Sequence, residues 1–117
     1  MMEGDTQQAE QLCMAGLRTR RELSDKRGLA SCLEALGKVA QAQGQAERAT
    51  RLCSAAAALR EALGVSLSPF ERVRPDQTLA WARTQQGETA FEAAWSSGAA
   101  MGLEQAVAYA LDEVASA

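Results

Sequence analysis

Histidine is absent from the 117 residues, so no Ser-His-Asp triad, imidazole general base or His metal ligand can be assembled. Proline occurs twice, and the aromatic side chains are two Trp, two Phe and one Tyr, so little in the chain interrupts helix. No apolar run approaches the roughly 18 residues that span a bilayer. The polar start, Met1 to Glu10, lacks the basic segment and apolar stretch of a secretory leader. A soluble, cytoplasmic protein with no membrane partner is expected. The three cysteines, Cys13, Cys32 and Cys53, are odd in number and far apart, unlike zinc pairs or disulfide frameworks. They read as buried core thiols.

What is abundant is Ala, Leu, Glu, Gln and Arg, which lose little freedom in a helix. With 47% apolar residues the chain can bury one modest core, and a single all-α domain over residues 1–117 is expected. Net charge is -3, yet every Lys and Arg lies between Arg18 and Arg83, and only acids follow. The basic cluster Arg18, Arg20, Arg21, Lys26 and Arg27 falls in a last turn and the turn after it, where cations suit the helix dipole. It therefore reads as a solvated helix end, and nucleic-acid binding is not expected.

The chain nearly repeats itself. Leu12, Cys13, Ala15, Arg20 and Leu23 return 40 residues later as Leu52, Cys53, Ala55, Arg60 and Leu63. Leu36, Gln43 and Gly44 return 43 residues later as Leu79, Gln86 and Gly87. Helix pairs recurring every ~20 to 50 residues are the mark of an α-solenoid, whose units bury apolar faces by stacking. The spacing predicts about six helices, arranged as antiparallel hairpins stacked into a short right-handed α-solenoid. The first, 5–23, carries Ala9, Leu12, Cys13, Gly16 and Leu17 on its stripe and is the orphan second helix of a unit. A central repeat, 25–63, is capped at Ser24 or Asp25, turns at Gly44 and stops at Gly64. A degenerate repeat, 68–98, opens with Ser68-Pro69-Phe70-Glu71, a capping box with proline in the first turn. Pro75 is expected to kink or break its first helix, and Gly98 with Gly102 to mark a weak break. A capping helix, 103–115, presents Leu103, Val107, Leu111 and Val114 on one side and acids on the other.

Leu33-Glu34-Ala35-Leu36-Gly37 through Ala40, followed by Ala49, Cys53 and Ala56, resembles the tetratricopeptide repeat, whose pattern is W-x-x-L-G-x-x-Y, then A-x-x-x-F and a small residue. The resemblance implies that Leu33, Leu36, Gly37, Ala49, Cys53 and Ala56 pack the repeat. Leu33, Ala40 and Cys53 replace the family's aromatic residues, and Glu61 stands where proline is frequent. A wider likeness runs through Arg21 to Ala30, Cys32-Leu33-Glu34, Gln43-Gly44, Ala56 to Arg60, and Ala90-Phe91 with Ala94-Trp95. It is similar to the C-terminal end of the helical-repeat region in large bacterial ATP-binding regulators, including LuxR-type transcriptional regulators. That resemblance implies a sensor or docking scaffold detached from nucleotide-hydrolysing and DNA-binding domains. The chain has no G-x-x-x-x-G-K-S/T loop and no convincing helix-turn-helix.

No catalytic constellation is evident. A carboxylate pair such as Glu34 with Glu61 reads better as solvated surface acids, and no cofactor or metal is expected. Trp95 with Phe91 is expected to fill the joint between the last helices, whereas Trp81 sits off the Leu79 and Ala82 stripe. Partner binding is assigned to Leu12, Leu17, Arg20 and Trp81. The stripe of the orphan helix should dock on another protein or on its own copy as a homodimer. The alternative expectation is a small-molecule-sensing domain with a pocket near the C-terminal hairpin, enclosed by the kinked Pro75 helix and that Trp-containing hairpin.

Overall fold

The structure, a computed structural model, describes residues 3–112. They form six helices: α1 (Glu3–Glu22), α2 (Lys26–Ala42), α3 (Ala46–Leu63), α4 (Pro69–Gln86), α5 (Glu88–Ala100) and α6 (Leu103–Ala110). No strand occurs among the described residues, and the fold is all-α. Local chemistry sets most boundaries. The Asp25 carboxylate caps α2 by accepting the Gly28 N–H at 3.0 Å, which satisfies an otherwise orphaned donor. Gly64 ends α3 at φ 69°, a left-handed conformation that side chains resist. At the start of α4 the Ser68 hydroxyl accepts the Glu71 N–H at 3.2 Å, while the Glu71 carboxylate accepts the Ser68 N–H at 2.9 Å. Pro69 occupies the first turn, where its missing donor is harmless.

The break expected at Pro75 does not occur, because α4 runs continuously through it. Phe70 to Arg74 are exposed, so solvent can take the carbonyl that proline leaves without a donor. Later turns of α4 are held against α2 and α3.

α3 is the central element: it packs against α2, α4, α5 and α6, whereas α1 packs against α2 and α6. Leu33, Leu36, Gly37, Ala49, Cys53 and Ala56 are all buried on α2 and α3. Two glycines permit the close approach. A Cβ on Gly37 would lie 2.8 Å from Cys53 Sγ, and one on Gly98 would lie 2.5 Å from the Arg51 carbonyl oxygen and 2.8 Å from Ser54 Cβ. α5 passes through Gly98, and the break expected between Gly98 and Gly102 falls at Met101 and Gly102, after Ala100.

α6 returns over the first three helices. Its Ala106, Val107 and Ala110, with Leu111 beyond, join Met14, Leu17, Leu29, Leu33, Leu52 and Ala55 in one core cluster. Arg48 of α3 fastens it by donating to the Ala110 carbonyl at 2.9 Å and to the Tyr109 carbonyl and Asp112 carboxylate at 3.3 Å each. A cation placed there answers both the unpaired carbonyls and the dipole of a helix C-terminus. Membership of the core cluster overturns one sequence expectation: Leu17 is 0% exposed and cannot form part of an open edge. α6 ends at Ala110, short of the expected 115, with Asp112 at φ 56°. Val114 lies outside the described residues.

The two glycine environments make opposite predictions. Gly98→Ala should destabilise the fold by roughly 1–3 kcal/mol, because overpacking against the α3 backbone outweighs the gain in helix propensity. Gly16→Ala, whose Cβ would meet only Cys32 Sγ at 3.6 Å, should stabilise it by about 0.5–1 kcal/mol. Urea denaturation of the two variants checks the signs.

Candidate functional site

The principal concavity is a cleft of about 550 Å³ where the N-terminal half of α1 and the outer faces of α2 and α4 meet. Thr6 and Ala9 enter from α1, Ser31 to Ala42 from α2, and Arg74, Pro75, Thr78 and Trp81 from α4. Its polar groups are largely fixed. The buried Thr78 hydroxyl donates to Gln41 Oε1 at 2.8 Å, which turns the Gln41 amide nitrogen outward as a donor. The Glu34 carboxylate is bonded and ion-paired to Arg60 of α3, with side chains 23% and 11% exposed respectively. Lys38 and Arg74 stand at the cleft, exposed, with no ion pair among the described residues.

A second hollow of about 420 Å³ lies on the other side of Glu34 and Pro75, between α2, α3, the α3–α4 linker and α4. Glu61, Asp76, Leu79 and Trp95 line it. The two tryptophans thus serve different hollows, Trp81 the cleft and Trp95 the hollow that Pro75 also lines. Glu34 and Glu61 do reach one hollow, but Glu34 is engaged by Arg60 and Glu61 is exposed, so they do not form an acid–base pair in an apolar pocket. Phe91 is buried and stacks on half-buried Trp95 with ring centroids 6.4 Å apart, while the Arg83 guanidinium lies 4.4 Å from the Phe91 centroid.

The residues assigned to partner binding separate. Leu12 is 68% exposed on the outer side of α1, Leu17 is enclosed, and Trp81 is half-buried in the cleft. Arg20 is committed within the chain: its guanidinium donates to Asp25 at 2.8 Å. Its stem occupies the space that a side chain at Gly28 would need, with Cδ 2.1 Å from that Cβ position. The Gly28 N–H, and then Arg20, hold the Asp25 carboxyl below its ordinary range. Leu23, also 68% exposed, lies just beyond the end of α1, its N–H donating to the Thr19 carbonyl at 3.0 Å, and so continues the side of the helix that carries Leu12 and the exposed Ala15 and Thr19.

Of the three thiols only Cys53 is buried, while Cys13 and Cys32 are half-buried at the α1–α2 contact. Burial pushes the Cys53 thiol up to about 12, with nearby Glu34 adding to the effect. Burial, then Cys32 and Glu10, also raises the Cys13 thiol. Lys38, Gln41 and Arg74 were not singled out by the sequence, since they converge from two helices separated by α3. No family model, curated protein or solved structure matches the chain.

The thiolate is the reactive form, so Cys53 should be silent in the folded protein. Labelling with a disulfide reagent at pH 8, located by peptide mass, should modify Cys53 at least about a hundredfold more slowly than in urea. Labelling at equal rates would contradict its burial.

Proposed function

We propose that the chain is a non-catalytic protein–protein interaction module, a tetratricopeptide-like scaffold end from a cytoplasmic bacterial signalling or transcriptional regulator, which pairs with its own copy through α1. The observation that carries this reading is a comparison of Leu12 with Leu52. The two are equivalent in the internal repeat, yet Leu52 is 1% exposed and Leu12 is 68% exposed. Leu52 faces α2, its Cβ lying 3.7 Å from the position of a Gly37 Cβ. The same side of α1 has no helix against it among the described residues, and Leu12, Ala15 and Leu23 remain in solvent. An apolar stripe on a helix at one edge of the fold suits a two-fold contact in which each copy supplies the covering helix of the other. No helix among the described residues is long and apolar enough to cross a membrane.

A second reading, small-molecule sensing, is favoured by the cleft beside Trp81, whose volume falls within the ~300–1,000 Å³ usual for ligand sites.

The double variant Leu12→Glu/Leu23→Glu tests the first reading, since both side chains are exposed and the fold should tolerate the change. Sedimentation across a concentration series should show a wild-type dimer whose dissociation constant rises at least about tenfold in the variant. A wild-type monomer throughout, or a dimer unaffected by the double change, would sink the proposed pairing.

A further inference from the structure

We infer that the α1–α2–α4 cleft binds a small amphipathic anion, its acidic group held by Lys38, Arg74 and Gln41 and its flat apolar body laid against Trp81. This rests on the ligand-sensing reading and adds the chemistry of the ligand. The first support is the balance of donors and acceptors. Glu34, the only carboxylate among the described residues that line the cleft, is already neutralised by Arg60. The Gln41 oxygen is occupied by the Thr78 hydroxyl. Uncommitted at the cleft are the Lys38 ammonium, the Arg74 guanidinium, the Gln41 amide nitrogen and the Trp81 indole N–H, all donors and two of them cationic, with the exposed Ser31 hydroxyl beside them. A ligand that leaves none of them unmatched must bring acceptors and negative charge.

The second support is the surrounding surface. Val39, Pro75 and the alanines at 9, 35 and 42 make most of the remaining wall, and the indole of Trp81 adds a broad apolar face. Apart from Thr6 and Ser31 the rest of the wall offers few hydrogen-bonding groups, so the body of the ligand must be largely apolar. The cations stand on facing helices, Lys38 on α2 and Arg74 on α4, so one acidic group between them would also bridge the two. Carboxylate and phosphate share this chemistry.

The test uses two related probes, the aromatic sulfonate 1-anilinonaphthalene-8-sulfonate and its uncharged counterpart N-phenyl-1-naphthylamine, titrated by fluorescence against the full chain. Lys38→Glu/Arg74→Glu is the variant, since both residues are exposed and neither supports the core. The expected result is one sulfonate site that weakens at least tenfold on charge reversal, while the uncharged probe changes less than twofold. Displacement by phenylacetate or by phenyl phosphate then shows which acidic group is preferred, and failure of both to displace would overturn the assignment. Sulfonate affinity that survives charge reversal, or an uncharged probe that binds wild type as tightly as the sulfonate, would overturn the anion while leaving a ligand cleft. Binding of neither probe would overturn the ligand-sensing reading with it.

Discussion

The close approach of four helices to α3 is the constraint on which the rest of the structure depends. A helix can have that many neighbours only if its surface is made of small side chains, and α3 presents Ala49, Ser54, Ala55 and Ala56 as buried residues. Its partners answer with Gly37 and Gly98, where no side chain would fit without displacing α3. Packing of this kind offers less apolar area per residue than a leucine-rich core, and specific polar bonds supplement it. Four side chains of α3 each reach a different helix. Arg60 pairs with Glu34 of α2, Thr50 accepts from Gln86 of α4 at 2.8 Å, Ser54 donates to the Trp95 carbonyl of α5, and Arg48 holds the end of α6. Together they fix the order in which the helices surround α3.

The contrast between α1 and α3 follows from that order. The two share a sequence pattern, so they present the same residue types in the same phase, but α3 is enclosed and α1 lies at an edge. Leu52 and Cys53 are buried, whereas Leu12 is exposed and Cys13 only half-buried. The arginines of the two copies also differ in their work. Arg20 closes a local turn with Asp25, while Arg60 joins residues 26 positions apart in the chain. Repetition in sequence has here been turned to different ends by position in the fold.

Features decided within a few residues were legible from the sequence. The Ser68 capping box, the Asp25 cap, and the turns at Gly44 and Gly64 each depend on chemistry inside one helical turn. Features decided by distant neighbours were not. Leu17 looked like half of an open stripe because nothing local reveals the core cluster, shared with α2, α3 and α6, that encloses it. Gly98 looked like no more than one edge of a break, because its packing role lies against Arg51 and Ser54 of another helix. Pro75 suggested an interruption, but its consequence depended on solvent reaching the first turns of α4. At the cleft, Trp81 and Pro75 drew notice as unusual residues, while Lys38, Gln41 and Arg74 are ordinary in sequence and acquire meaning only by convergence.

Hydrogen exchange under native conditions tests the central position of α3 most directly. If four-sided packing governs the fold, amides from Ala49 to Ala56 should exchange only through global unfolding, those of α1 and the first turns of α4 should open at lower free energy, and α6 should lie between. Exchange in α3 as fast as in α1 would contradict the account, because the helix said to organise the others would then be no better protected than the edge.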